Sequence, residues 1–211
     1  MPRTFLREQE ALQAIAKLEI AFPLIVKARF GQGSLALFKV QSPEELSAAC
    51  LLAKGQIARF ADNRLHAACD TVVLIQECIE GPEYGLDVVN DFQGRFRACL
   101  CKKKLGMRAG ETDAAVTLHD EVLQNLGHAI GKKLAHVGML DADVIVRDGT
   151  PYLIEMNPRF GGHYPFSQMA GANVPAALIA MAKGQPFTQE WLVVREGVKT
   201  QKSISLEIIN S

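Results

Sequence analysis

The sequence carries no net charge: its 23 Lys and Arg residues are matched by 23 Asp and Glu. It also lacks a basic stripe, so no long-range field draws in nucleic acid or an anionic membrane. Neither is expected as a partner. No apolar run nears the roughly 20 residues of a bilayer-spanning helix, and the longest, such as Val72 to Ile75, are strand-sized. The start, Met1-Pro2-Arg3, has no apolar signal core, which argues against export. Among the five cysteines (Cys50, Cys69, Cys78, Cys99 and Cys101) there is no C-x-x-C pair, and no His stands at zinc-finger spacing. A scattered, odd-numbered set fits a reduced, cytoplasmic protein whose cysteines pack rather than bind metal. Internal repeats and low-complexity tracts are missing as well.

What is present suits a folded, soluble chain. A length of 211 residues, 48% apolar and 22% charged, fits one unit of two lobes or two small domains sharing a core. Thr4 is placed to cap a helix over about 5–18, with Leu12, Ile15 and Leu18 on one face. Residues 22–27 and 35–40 read as a hairpin across Gly31-Gln32-Gly33-Ser34. Ser42 and Glu45 form a capping box with Pro43 at the first helical position. The more polar stretch 54–70 reads as a loop leading to a strand over 71–75.

Strands are also expected over 86–89, 95–103, 143–147 and 151–157, and a helix over 119–136 with Gly138 as its stop. Asn173 caps a last helix ended by Gly184, and the tail over 191–209 alternates weakly enough for two edge strands. Helices among mostly hairpin-linked strands argue α+β rather than a doubly wound α/β sheet.

The richest chemistry lies on the hairpin around Asp143 and Glu155. Ala142, Val144 and Val146 on one strand and Tyr152, Ile154 and Met156 on the other are apolar. The odd positions bring Asp143 and Arg147, then Glu155 and Asn157. Cross-strand partners share a face, so the register has to pair odd with odd. A three-residue turn, Asp148-Gly149-Thr150, does so and sets Asp143 opposite Glu155. Two carboxylates about 5 Å apart repel, and Mg²⁺ relieves that repulsion while accepting phosphate oxygens. Asn157 adds a neutral oxygen, and Arg159 a planar fork for a phosphate. Gly161-Gly162 follows and lets backbone approach a ligand.

Two further elements point to a nucleotide. Lys27 ends a strand before Arg29 and the Gly31-Gln32-Gly33-Ser34 turn, where amides and an ammonium can meet phosphates. The turn is neither a Walker loop nor a dinucleotide fingerprint. Gln76-Glu77 ends another strand and offers backbone amides to a base edge, and Glu83 six residues on can accept ribose hydroxyls. His163 is a lesser candidate for a phosphate or substrate. In Lys102-Lys103-Lys104, strand alternation points Lys103 into the cleft beside Cys101.

Taken in this order, the elements resemble the ATP-grasp superfamily over nearly the whole chain. Asp143 with Tyr152-Leu153-Ile154-Glu155-Met156-Asn157-Pro158-Arg159 is similar to the metal-binding end of the carbamoyl phosphate synthetase large subunit and its single-carboxylase relatives. Gln76-Glu77 through Glu83-Tyr84, and Arg108-Ala109-Gly110-Glu111-Thr112, fit the same branch.

The resemblance implies an ATP-grasp fold of two α+β lobes with ATP between them. The small lobe, with the phosphate loop, would span 1–75, and the large lobe, with the Mg-binding hairpin, 76–211. It implies Lys27 on the α and β phosphates, Gly31, Gly33 and Ser34 in the covering loop, and Gln76 and Glu77 at the adenine. Glu83 would sit on the ribose, with Asp143, Glu155 and Asn157 on Mg²⁺ (or Mn²⁺). Arg159, with Lys27, would steady the transferred phosphoryl group, and the turn carrying Arg108 and Glu111 would cover the acceptor.

The implied activity is an ATP-dependent carboxylate–amine ligase working through an acyl phosphate, with a small carboxylate and an amine as substrates. The other implied reading is a nucleotide-binding module or subunit without turnover. Relatives carry an N-terminal Rossmann-like domain that the resemblance does not find here. An upstream domain or partner chain is therefore expected, with Arg3 as the stand-in for an upstream phosphate-binding cation. The apolar face so exposed makes a homodimer a further expectation.

Overall fold

The computed structural model describes residues 1–30, 36–60 and 71–204. The expected phosphate turn with Gly31, Gly33 and Ser34 lies outside these residues. The chain forms two compact units, Met1–Glu80 and Gly81–Ser211.

The first unit is an antiparallel sheet backed by two helices. Its strands are β1 (Thr4–Phe5), β2 (Leu24–Ala28), β3 (Phe38–Val40) and β4 (Val73–Glu77), in the order β1-β4-β2-β3. Helices α1 (Glu8–Ala16) and α2 (Pro43–Phe60) cover it. Leu24 and Val26 on β2 and Val73 and Ile75 on β4 bury their side chains with Leu46, Ala53 and Ile57 of α2. The capping box forms in a shifted version: Ser42 Oγ accepts from Glu45 N at 3.2 Å as expected, while Glu45 Oε2 reaches one residue further back and accepts from Gln41 N at 2.8 Å.

Two expectations are corrected here. Thr4 lies in β1 opposite Gln76 rather than capping a helix, because pairing with β4 satisfies its backbone. Its Oγ1 accepts from Gln76 Nε2 at 2.9 Å. Residues 54–60 are helical rather than loop, since Ala53 and Ile57 continue the buried face of α2 past the polar positions.

The second unit is a six-stranded antiparallel sheet. Its strands are β5 (Glu83–Asn90), β6 (Phe96–Arg108), β7 (Glu111–Leu118), β8 (Gly138–Arg147), β9 (Thr150–Asn157) and β10 (Lys199–Gln201). They lie in the order β10-β7-β6-β5-β8-β9. Helix α3 (Glu121–Leu134) begins at Asp120, whose Oδ1 accepts from Leu123 N at 2.9 Å. It ends at Ala135 in the left-handed region (φ 46°), three residues before the expected stop at Gly138. Leu123 and Ile130 of α3 pack on Leu86, Val88, Cys101, Leu140, Ala142 and Val144.

The opposite face of this sheet is divided. At one end Val89, Ala98, Leu100 and Met139 are covered by Tyr164 of α4 (Tyr164–Met169) and by Val174 and Ala177 of α5 (Val174–Ala182). Its other end carries the charged residues described below. Among the described residues the tail supplies one edge strand, β10 on β7, preceded by a 3-10 turn over Gln189–Leu192; the remainder of the expected two-strand tail, 205–209, lies outside them. Sequence reading also missed β7 and α4.

The β8–β9 hairpin reaches its register by an unexpected route. Its turn has two residues, not three: Arg147 pairs with Thr150 across Asp148 (φ 51°) and Gly149 (φ 73°). Two successive left-handed residues make the tight turn that suits a twisted hairpin, and Asp-Gly is a preferred sequence for it. Odd positions therefore face even ones as far as Val144 opposite Leu153. The register then shifts: Ile154 is the extra residue of a bulge, and Asp143 faces Glu155 with Asp141 facing Asn157. A bulge beside a site re-aims the side chains that follow it.

Candidate functional site

The pairing of β6, β5, β8 and β9 gathers charge on one face. Lys102 faces Gly85, Gly85 faces Asp143, and Asp143 faces Glu155. One row along, Asp87 faces Asp141 and Asp141 faces Asn157. Gly85 is the gap in this lattice. A Cβ there would lie 2.8 Å from the His163 ring, so the missing side chain is the space that His163 fills. Gly161 plays a matching part, since its Cβ would strike the Asp141 carboxylate at 2.3 Å. The double glycine was expected to admit a ligand; at Gly161 the close neighbour is a carboxylate of the same site.

His163 is 3% exposed and sits at the centre. Its Nδ1 lies 3.0 Å from Lys102 Nζ and 3.3 Å from Asp87 Oδ1. On the other side, Nε2 touches Asp141 Oδ1 and stands 3.7 Å from Asp143 Oδ1. Asp87 is fully buried, with its Oδ2 accepting from Lys102 Nζ and, at 2.5 Å, from Ser167 Oγ. Lys104 holds Asp143 at 2.8 Å and Glu83 at 3.2 Å. Arg159 Nη1 donates to Asp141 Oδ2 at 3.3 Å, and Asn157 Nδ2 to Glu155 Oε1 at 2.9 Å.

Burial should neutralise such groups, but their partners prevent it. Burial raises the pKa of Asp87, yet Lys102 and His163 outweigh it and hold the carboxyl well below its usual range. Burial likewise opposes the charge on Lys104, and Asp143 and Glu83 overcome it, so its pKa is raised. For His163, burial and the Lys102 ammonium oppose protonation. The carboxylates of Asp87 and Asp141 prevail, and the pKa is raised.

The residues singled out from sequence are distributed over both units. Asp143, Glu155 and Asn157 lie together on the hairpin; Arg159 joins them through Asp141, and Glu83 through Lys104. Arg108 is turned to Asp113 at 2.5 Å on the β6–β7 turn, whose Glu111 carboxylate would be 3.7 Å from a Cβ on Gly162. In the first unit, Lys27 pairs with Leu74 and Gln76 with Ile25, which places both on the face opposite Val26 and Ile75. Glu77 donates its backbone N–H to Arg3 O at 2.9 Å, so that amide is already engaged. Arg3 itself pairs with Glu19 at 3.3 Å.

Sequence reading missed Asp87, Lys102, Lys104, Asp141 and Ser167, and gave His163 too small a part. The lysine parity was also inverted: Lys102 and Lys104 are buried and Lys103 is exposed. Lys103 shares the parity of Cys101, which packs toward α3, whereas Lys102 and Lys104 face Gly85 and Glu83. The available signal was a charge inside an apolar strand run, as in Leu86-Asp87-Val88-Val89, which burial tolerates only with a partner. Cys99 and Cys101 share one face, as expected, with sulfurs 3.8 Å apart and both thiols free.

A two-unit α+β chain with a carboxylate-bearing hairpin of this kind has the architecture of the ATP-grasp superfamily. Biotin carboxylase from Campylobacter jejuni, solved as an ATP-analogue complex, superposes with a TM-score of 0.71 at 22% identity. That match covers 92% of this chain and 45% of the other. The biotin carboxylase domain of Hydrogenobacter thermophilus 2-oxoglutarate carboxylase, solved with MgADP and bicarbonate, gives 0.69 at 22% identity, covering 90% and 43%. Carboxyaminoimidazole ribonucleotide synthase from Aspergillus clavatus, solved with ATP, gives 0.65 at 14%, covering 92% and 50%. The chain thus spans half or less of the length of these structures. Residues 70–206 match the family described as "ATP-grasp in the biosynthetic pathway with Ter operon", and the chain belongs to that ATP-grasp family. Among the described residues, no helix is long and apolar enough to cross a membrane.

Proposed function

We propose that the chain is the nucleotide-binding and metal-binding part of an ATP-dependent carboxylate–amine ligase that works through an acyl phosphate. The observation that carries this reading is the convergence of Asp143, Glu155 and Asn157 on the bulged hairpin, beside the buried Asp141. The donor set suits a divalent ion, because the carboxylates of Asp143 and Glu155 stand opposite one another with the Asn157 side chain beside them. Asp143, Glu155 and Asn157 would hold Mg²⁺ or Mn²⁺, and the bound ion would supply charge neutralisation for phosphoryl transfer.

The chain's own residues bind and orient. Lys27, with Gly31, Gly33 and Ser34, is assigned to the phosphates; Gln76 and Glu77 to the base; Glu83 to the ribose; and Arg108 to the turn that covers the acceptor. Arg159 offers two parallel N–H groups to a phosphoryl oxygen and already lies against Asp141. In this reading the small-lobe role falls to the first unit and the large-lobe role to the second. The finer placement beside the carbamoyl phosphate synthetase large subunit rests on the run from Tyr152 to Arg159. Selection of carboxylate and amine is assigned to an upstream domain or partner chain, and a cytoplasmic setting fits the cysteine pattern.

Mg-ATP should raise the melting temperature of the chain, and Glu155→Gln should remove most of that gain. An equal melt with and without Mg-ATP would overturn the nucleotide assignment. Acceptor-dependent ADP release, assayed over carboxylates and amines with and without the upstream domain, separates ligase from binding module. Stabilisation by Mg-ATP with no acceptor-dependent ADP in either arm would favour the module.

A further inference from the structure

We propose that Asp141 and His163 are positioning residues for Arg159: they aim its guanidinium at the transferred phosphoryl group without touching that group themselves. The inference rests on the nucleotide reading of the site and adds one feature to it, the pre-orientation of its cation.

Arg159 does not hold its own direction. It lies past the end of β9, in a stretch without helix or strand, and its side chain is 49% exposed. Such a side chain has many rotamers, and a moving phosphoryl group gains most from a cation that is already in place. Among the described residues, the one carboxylate that Arg159 meets is Asp141, through Nη1. The same Nη1 donates to Phe160 O at 3.0 Å. Both contacts fall on one nitrogen, which leaves the Nε and Nη2 edge of the fork to face phosphate oxygens. Asp141 also seats the backbone of this stretch. A Cβ on Gly161 would lie 2.3 Å from its carboxylate carbon, so Arg159 and Gly161 both close on one side chain.

Asp141 is fixed in turn from behind. Its Oδ2 faces Arg159 and its Oδ1 touches His163 Nε2, so the carboxylate cannot rotate without losing one of them. The His163 ring fills the space that Gly85 leaves, with Asp87 Oδ1 at 3.3 Å from Nδ1. Lys102 and Ser167 hold the other oxygen of Asp87. Exposure rises along this series, from fully buried Lys102 and Asp87 through buried His163 and Asp141 to half-exposed Arg159. Desolvation costs stability at every buried charge, and the one exposed end is the cation assigned to the phosphoryl group. Asp141 is free for this part because Asp143, Glu155 and Asn157 are the residues assigned to the metal.

The test uses the full chain and titration calorimetry with two probes, MgADP and the magnesium complex of the non-hydrolysable β,γ-imido analogue of ATP. Only the analogue carries the terminal phosphoryl group. Asp141→Asn should weaken the analogue about tenfold and MgADP less than about twofold. Arg159→Ala should lower the affinity ratio in the same direction. Asp141→Asn added to Arg159→Ala should cost nothing further, since a positioning residue acts through the one it positions. Equal losses for both probes, or additive losses in the double variant, overturn the proposal and leave the nucleotide reading standing. A wild type that binds neither probe sinks both.

His163→Gln, whose amide still reaches toward Asp141, should keep more of the ratio than His163→Ala; equal losses would remove His163 from the assignment. Should the variants not fold by circular dichroism, the unliganded wild type decides. Its ¹⁵N NMR spectrum should show rotation of the Arg159 guanidinium slowed relative to that of Arg7, a surface side chain 69% exposed. A guanidinium that turns as freely as that of Arg7 is not pre-oriented, and the proposal fails.

Discussion

The two units solve the problem of burial differently. Among the described residues, every buried side chain of the first unit is apolar or Cys, from Ala11 to Ile79, apart from Pro2. The second unit buries Asp87, Asn90, Asp91, Lys102, Lys104, Thr112, Thr117, Asp141, His163 and Ser167 as well. Apolar burial is non-directional and tolerant, whereas a buried charge is stable only with its partners in place. The first unit is thus a frame that carries its candidate residues near the surface. In the second, the candidate residues are part of the interior.

The largest expected effect tests that difference directly. Lys102→Met leaves Asp87 buried without its ammonium, and removing one partner of a buried pair costs about 3–5 kcal/mol. A shift of that size is expected in the urea transition of the second unit. Asp87→Leu combined with Lys102→Met should recover part of the loss, because replacing both partners removes the stranded charge. If the double variant is less stable than Lys102→Met, Asp87 owes its position to Ser167 and His163 rather than to Lys102.

The counterpart in the first unit is Leu46→Ala. Leu46 is fully buried in the core of the sheet and α2, and a Leu-to-Ala cavity costs about 2–5 kcal/mol. A central loss near 3 kcal/mol is expected, with no double-variant rescue, since no partner is left charged. The two urea experiments together either separate the units or show that they respond alike.

The same difference governs what sequence could reveal. Periodicity found the frame: the capping box at Ser42, the β2–β3 hairpin and the α3 face all form, because each follows from local spacing. It found Asp143 opposite Glu155 for an incomplete reason. Face sorting demanded odd with odd, and the structure satisfies this with a two-residue turn and a bulge at Ile154. Bulges are not written in a binary pattern, so a three-residue turn was the simpler inference. The buried lattice was largely illegible. His163 reaches Lys102 across 61 positions and Asp87 reaches Ser167 across 80, and no local pattern records that Gly85 is the space for a ring.

Acid should expose a further asymmetry. Asp91 is buried in the β5–β6 turn, where its Oδ1 accepts from the backbone N–H groups of Gln93 and Arg95 and its Oδ2 meets Arg95 and Arg97. Burial raises its pKa, but these donors win and lower it to about 2 from an ordinary 3.8. A carboxyl whose folded pKa is depressed stabilises the fold above its unfolded pKa and loses that contribution as pH falls through the folded one. The second unit should therefore lose stability between about pH 4 and about pH 2. Asp91→Asn should be less stable at neutral pH and flatter across that window. Equal slopes for wild type and variant, followed by circular dichroism, would rule out the Asp91 turn as an acid-sensitive element.

The smallest effect belongs to an ion pair that looks, by distance alone, like those of the second unit. Lys39 meets Glu80 at 2.7 Å, much as Lys104 meets Asp143 at 2.8 Å. The Lys39 and Glu80 side chains are 48% and 72% exposed, while that of Lys104 is 4% exposed. Water screens the first pair and repays its loss; nothing replaces the second. Lys39→Met should leave the melting temperature unchanged in low and high salt alike, whereas Lys104→Met should lower it and leave Asp143 and Glu83 repelling one another. Equal shifts for the two variants would mean that burial does not set the worth of an ion pair here. The division between a tolerant frame and a charge-bearing interior would then fail at its most elementary comparison.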